Sequence, residues 1–225
     1  MTESCAAATL NPRGAPRFGT VGRALPGTEV RCSQDGEILM RGPHVFTRYD
    51  RDERSTRAAL SDGWLRSGDL GELSDDGYLM VTGRRKDLII TSSGRNIAPA
   101  NIENALRETR WISEAVVYGD RKPYLVCMVT LDPDEAPKLA QQLGVSADMT
   151  SMARDASVRE VIQAAIDNAN TRFARIEQVK RFVILDHDLT QAAGELTPMF
   201  KTKRAFVCKR YANMFNELYA GEAGS

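Results

Sequence analysis

Short apolar runs separated by turn residues fill the first third of the chain, and helix-period stripes enter after it. Residues 28–32 and 36–41 (Thr-Glu-Val-Arg-Cys and Gly-Glu-Ile-Leu-Met-Arg) flank Ser33-Gln34-Asp35-Gly36. Asp-Gly tolerates the positive φ of a tight turn, so this stretch predicts a β-hairpin. A short charged helix is expected near 51–60, followed by strands at 64–73 and 78–82 around Asp75-Asp76-Gly77. Beyond residue 86 strand and helix alternate. Pro99 suits a first helical position, which puts Ile102, Ala105, Leu106 and Thr109 on one face. Strands are expected at 114–119 and 124–132, split by the turn Asp120-Arg121-Lys122-Pro123. The stripe Val158, Val161, Ile162, Ala165, Ile166, Ala169 predicts a helix, which a Ser157 and Glu160 capping box would open. A strand at 181–185 and a terminal helix starting near Lys201, marked by Val207, Tyr211, Met214, Phe215 and Leu218, complete the pattern. A β meander followed by an α/β unit predicts two domains, 1–85 and 86–225, with an overall α+β / α/β fold class. Residues 4–27 carry Pro, Gly and Ala with little apolar periodicity, so partial disorder is expected there.

Composition narrows the function classes. The 225 residues carry 30 basic and 30 acidic side chains, so no global field favours nucleic acid, and binding must be local. No stretch has the length and apolarity of a transmembrane helix, and Met-Thr-Glu-Ser lacks the features of a signal peptide. A cytoplasmic location is the expectation, with peripheral membrane contact left open. Cys5, Cys32, Cys127 and Cys208 are far apart and form no C-x-x-C, which points to free, mostly buried thiols. His44 and His187 have no partner at metal-ligand spacing and read as loop or surface residues.

Three segments carry candidate chemistry. In Trp64-Leu65-Arg66-Ser67-Gly68-Asp69-Leu70-Gly71 one carboxylate stands between two glycines, where backbone can approach a ligand and the carboxylate can accept two hydrogen bonds from a diol. Taken by itself, Asp69 reads better as a turn carboxylate, since Gly-Asp is common in turns. Arg84, Arg85, Lys86 and Asp87 precede the apolar run Leu88-Ile89-Ile90, and such a charge run is usually a solvated face. Glu195-Leu196-Thr197-Pro198-Met199-Phe200-Lys201-Thr202-Lys203-Arg204 ends in three cations at an expected helix start, where the helix dipole would add to an anion site.

In this order these segments resemble motifs of the AMP-forming adenylate enzymes, and among them the long-chain fatty acyl-CoA ligases. "WLRSGDLG" is similar to the family's W-x-x-T/S-G-D-x-G, "GRRKD" to its domain junction, "TSSGRNIAPANIE" to its small-residue turn before a helix, and "LTPMFKTKR" to its last motif. "MTES" resembles the end of the Y-G-x-T-E motif. The resemblance covers essentially the whole chain. It implies the β-rich end of the large adenylation domain followed by a small mobile C-terminal α/β domain. It also implies that the phosphate loop and acyl tunnel belong to an upstream large domain of the same polypeptide, so the chain by itself is not expected to turn over.

The family's substrates would be ATP, a fatty acid and CoA, with Mg²⁺ as the metal. By resemblance, Asp69 would hold the ribose hydroxyls, and Arg84 the ribose and phosphate. Thr2 would donate to a phosphate oxygen and Glu3 would help hold Mg²⁺. Lys201 would be the catalytic cation beside the α-phosphate and the acyl carboxylate. Lys86 would be the hinge, and Ser93 and Gly94 would line the CoA channel, where closer relatives tend to carry Gly-Gly. Two other readings stay open at this point: an acyl-AMP ligase loading a carrier protein, and a non-catalytic interaction module.

Overall fold

The computed structural model describes residues 1–220, which fall in two compact units divided between Lys86 and Asp87. In the first unit β1 (Thr9–Leu10) pairs antiparallel with β2 (Arg23–Ala24). The main sheet follows: β3 (Glu29–Cys32), β4 (Glu37–Arg41), then helix α1 (Glu53–Ala59), β5 (Leu60–Ser61), β6 (Trp64–Leu73) and β7 (Leu79–Arg84). All its pairings are antiparallel, and β6 bonds to β4, β5 and β7. The Asp-Gly and Asp-Asp-Gly turns are where the pattern predicts them, with Gly36 at φ 78° and Gly77 at φ 82°. Packing is tight at Gly71: a Cβ there would stand 2.4 Å from the Met80 carbonyl oxygen and 2.8 Å from Ile38 Cδ1, so only glycine lets β6 lie this near β7.

Residues 4–27 are not the disordered stretch expected. Val21 donates to the Leu79 carbonyl at 2.8 Å, Leu79 donates back to Gly22 at 2.8 Å, and the Tyr78 hydroxyl donates to Ala15 at 2.7 Å. Backbone hydrogen bonds to β7 supply the order that apolar periodicity did not announce.

The second unit opens with β8 (Ile89–Ile90) and β9 (Asn96–Ile97), a two-stranded ribbon, then α2 (Pro99–Arg107) with Pro99 at its first position. A three-stranded sheet forms from β10 (Ile112–Tyr118), β11 (Leu125–Leu131) and, after α3 (Ala136–Leu143), α4 (Met149–Arg154) and α5 (Ala156–Asn170), β12 (Val179–Leu185). The terminal pair is α6 (Arg204–Arg210) and α7 (Ala212–Ala220). β11 is central, antiparallel to β10 and parallel to β12, and all seven of its residues are buried. The reason is that each face carries its own core. Val117, Leu125, Cys127, Val129 and Phe182 pack with Ile102 and Leu106 of α2 and with Val158, Ile162 and Ile166 of α5. Val116, Val126 and Met128 pack with Val207, Tyr211 and Phe215 on the other side. A strand buried on both faces reads as an unbroken apolar run, as β11 does.

Four expectations are corrected here. α5 starts at Ala156, and its cap is Asp155 rather than Ser157: the Asp155 carboxylate accepts from the Ser157 and Val158 N–H groups at 2.9 and 3.1 Å, and Ser157 donates its own hydroxyl to the cap. The terminal helix does not begin at Lys201. It begins at Arg204 and is interrupted at Tyr211. Thr109 lies past the end of α2. Of the four free thiols only Cys127 is fully buried, while Cys5 is exposed. Among the described residues no helix is long and apolar enough to cross a membrane.

The Asp155 cap has a pH signature. The Ser157 hydroxyl first, and the Val158 N–H second, hold the Asp155 carboxyl below the usual aspartate value. A lowered folded-state pKa adds stability that is complete above the unfolded pKa and is lost as pH falls through the folded one. Asp155→Ala is therefore expected to lower the melting temperature at neutral pH, with the gap to the parent chain closing in acid; a gap that is constant with pH would contradict this role.

Candidate functional site

In the first unit the register between β4 and β6 shifts between Glu37 and Leu39, because Glu37 faces Leu70 while Leu39 faces Arg66. The additional residues of β6 bulge at Ser67-Gly68-Asp69, with Gly68 at φ 73°. Such bulges re-aim a side chain, and here the one re-aimed is Asp69. Across β7 it faces Arg84, whose Nε donates to Asp69 Oδ1 at 3.1 Å. Both remain partly open to solvent, at 30% and 55% side-chain exposure, so the pair is available to a ligand rather than sealed.

A cavity of about 530 Å³ is lined by Met1, Glu3, Ser67, Gly68, Asp69, Arg84, Arg85 and Lys86. Four of the residues singled out in the sequence, Glu3, Asp69, Arg84 and Lys86, thus meet on one surface of one unit. Thr2 is exposed in the short helical turn Thr2–Ser4 and is not among the lining residues. Glu3 Oε1 accepts the Tyr49 hydroxyl at 2.9 Å. Its own backbone N–H first, and the Tyr49 hydroxyl next, hold the Glu3 carboxyl below the usual range, so it is ionised at neutral pH. Among the described residues no cluster of three metal-ligating side chains exists. A lone ionised carboxylate still fits Mg²⁺, which keeps its waters and takes substrate phosphates as ligands rather than needing an all-protein cage.

A residue the sequence reading missed holds this rim together. Glu37 is 4% exposed, and its Oε2 accepts from Arg66 at 2.6 Å and Arg85 at 2.7 Å while Oε1 accepts the Gly68 N–H at 3.2 Å. One carboxylate thereby fixes the backbone beside Asp69 and the side chain between Arg84 and Lys86. The only sequence signal was a charge in a strand position next to buried Ile38.

In the second unit Lys201 is exposed on a small hairpin before α6. Thr197 donates to the Lys201 carbonyl at 2.8 Å, and Lys201 N–H donates to Thr197 Oγ1 at 3.1 Å. The expected three-cation anion site is not formed. Arg204 is engaged with Glu103 and the Val117 carbonyl, so it is a structural bond across β10, and α6 is too short and starts too late for its dipole to serve Lys201. Ser93 and Gly94 sit at the exposed tip between β8 and β9, where Gly94 donates to Thr91 at 2.9 Å. Gly94 has φ 75° with nothing within 4 Å of its Cβ position, so turn geometry rather than crowding demands glycine here.

Residues 86–223 match the family model described as the AMP-binding enzyme C-terminal domain. The long-chain-fatty-acid–CoA ligase FadD15 of Mycobacterium tuberculosis is 40% identical over 208 residues, covering 92% of this chain and 35% of that protein. The long-chain-fatty-acid–CoA ligase ACSBG2 of Gallus gallus is 34% identical over 245 residues, covering 98% of this chain and 32% of its own length. The chain thus spans about a third of the length of these curated relatives. Among solved structures, o-succinylbenzoate CoA synthetase from Bacillus subtilis with its acyl-adenylate intermediate OSB-AMP superposes with a TM-score of 0.67 at 26% identity, over 92% of this chain and 39% of that one. The same enzyme with ATP and a magnesium ion gives 0.66 at 26% identity, over 91% and 39%. That family match spans more than half of the chain, and the chain therefore belongs to the AMP-binding enzymes, whose C-terminal domain it carries.

Proposed function

We propose that this chain supplies the C-terminal part of an ATP-dependent long-chain fatty acid–CoA ligase. The observation that supports this most is the convergence of Asp69, Arg84, Glu3 and Lys86 on one cavity of the first unit. The identity to long-chain-fatty-acid–CoA ligases narrows the substrate class.

In this reading the fatty carboxylate attacks the α-phosphorus of ATP, the bond to pyrophosphate breaks, and acyl-AMP forms. The thiolate of CoA then attacks the acyl carbon and AMP leaves. Asp69 accepts the two ribose hydroxyls, charge-assisted bonds that orient the nucleotide. Arg84, a fixed planar cation, holds ribose and phosphate oxygens, and Thr2 donates to a phosphate. Glu3 would help hold Mg²⁺, which would supply neutralisation of the phosphate charge. Lys201 sets an ammonium beside the α-phosphate, where charge grows in the transition state. Lys86 is the pivot about which the second unit turns between the two half-reactions, exchanging Lys201 for the Ser93-Gly94 turn through which the pantetheine arm passes.

The test is turnover by the full-length enzyme with ATP, Mg²⁺ and a long-chain fatty acid, offered CoA and holo acyl carrier protein in parallel. Acyl-CoA, AMP and pyrophosphate in equal amounts are expected. Acylation of the carrier alone, or no adenylate at all, refutes the ligase reading. Asp69→Ala in the same enzyme is expected to raise KM for ATP about 10- to 100-fold, the worth of hydrogen bonds to a charged group, with KM for CoA unchanged. A normal ATP KM would remove Asp69 from the nucleotide site.

A further inference from the structure

Glu195 is 0% exposed and carries a carboxylate, six residues before Lys201 in the sequence. Burying a carboxylate is costly unless donors surround it. Here Oε1 accepts the Tyr211 hydroxyl at 2.6 Å with Arg210 Nε at 3.4 Å, and Oε2 accepts the Thr190 N–H at 2.9 Å. The burial of Tyr211 first, and this bond to Glu195 second, push the Tyr211 hydroxyl up to about 12, so it stays a donor. His187 Nε2 lies 3.1 Å from the same hydroxyl.

The backbone of Glu195 is equally committed. Its N–H donates to the Thr190 carbonyl at 3.0 Å, and its carbonyl accepts from Lys203 N–H at 2.7 Å. From that bond a ladder climbs to the tip: Glu195 with Lys203, Leu196 with Thr202 in an antiparallel bridge, Thr197 with Lys201. Phe200, at φ 55°, makes the turn. Thr202 is pinned from the side, its hydroxyl donating to Glu114 at 3.1 Å. Among the described residues the Lys201 side chain makes no such tether, so its place is set by the ladder and ultimately by the residue at its foot.

We infer that Glu195 is the positioning residue for Lys201, its buried carboxylate anchoring the foot of the hairpin to Tyr211 and Arg210. An apolar side chain could fill the same space without a desolvation cost, and buried ionic groups are often neutral for stability. What the carboxylate adds is one fixed orientation of the loop against α6 and α7. The inference rests on the role proposed above for Lys201.

The test uses Glu195→Gln, with Tyr211→Phe as a milder variant that keeps the ring packing, in the full-length enzyme. Adenylate formation and thioesterification of supplied acyl-AMP are timed separately, alone and combined with Lys201→Ala. Expected is a kcat for adenylation lowered about 10- to 100-fold, as misplacing a reacting group costs, with KM for ATP and the thioester step unchanged and no further loss in the Lys201→Ala background. Equal losses in both half-reactions, or a full additional loss on top of Lys201→Ala, would overturn the inference. Amide hydrogen exchange on this chain reads the anchor without catalysis: Lys203 and Thr197 are expected to exchange faster in both variants while β11 stays protected. Unchanged exchange there overturns the anchor itself, whereas Lys201→Ala that leaves adenylation intact overturns the role of Lys201, so the two failures are told apart.

Discussion

Lys201→Ala in the full-length enzyme is expected to slow adenylate formation about 100- to 1000-fold, the cost of losing one preorganised charge-stabilising group at a reacting centre. The physical argument concerns two anions. A carboxylate must approach a phosphate, and the charge spreads over equatorial oxygens only as the bond forms. A fixed ammonium therefore stabilises the transition state more than the bound substrates, and the loss falls on kcat with KM for the fatty acid nearly unchanged. The thioester step, run with supplied acyl-AMP, keeps its rate because that attack does not use the ammonium. Lys201→Arg keeps the charge but spreads it over a wider planar group, so partial recovery is expected. If both half-reactions survive Lys201→Ala, the assignment fails, and stopped-flow release of pyrophosphate decides it.

Phe182→Ala is expected to cost about 3–5 kcal/mol of stability in the second unit, among the largest effects a single substitution can have here. Phe182 is 1% exposed on β12, in the core that joins β10–β12 to α2 and α5, and the Arg159 guanidinium sits 4.3 Å from its ring centroid. Truncation removes the ring, leaves a cavity that the parallel β11–β12 pair cannot collapse around, and strips Arg159 of its face. Since domains hold only about 5–15 kcal/mol in total, the urea midpoint should fall by a large fraction at an unchanged slope. A shift under a third of that size would mean that the ring is not packed as described.

Much of the architecture was legible because its causes are local. Asp35-Gly36 and Asp75-Asp76-Gly77 announce their turns by the positive φ they permit, Pro99 marks a helix start, and the apolar stripe of α5 has the period that its buried face requires. Ordered motifs singled out Glu3, Asp69, Arg84 and Lys86, which line one cavity within one unit, whereas Thr2, singled out in the same way, does not line it. What escaped was long-range. Glu37 meets Arg66 and Arg85 at separations of 29 and 48 residues, and Arg204 meets Glu103 at 101, distances at which no periodicity can signal a pair. Arg204 therefore looked like part of a basic cluster when it is spent on a bond. The cap of α5 was misplaced by two residues because Asp155 and Ser157 both satisfy the cap preference, and only the geometry chooses between them. The interruption at Tyr211 was hidden because the apolar stripe of α6 continues in phase into α7, while the tyrosine hydroxyl turns inward to Glu195.

The thiols of this chain form a natural clock. Cys127 has no exposed surface in the middle of β11, and burial drives its proton affinity far above that of an ordinary cysteine, whereas Cys5 stands in solvent. An alkylating reagent should mark the outer sulfur at once and wait for the sheet to come apart before reaching the inner one. The delay between the marks on Cys5 and Cys127, read by mass on the peptides that carry them, would report how often the sheet of the second unit breathes open, with no residue changed.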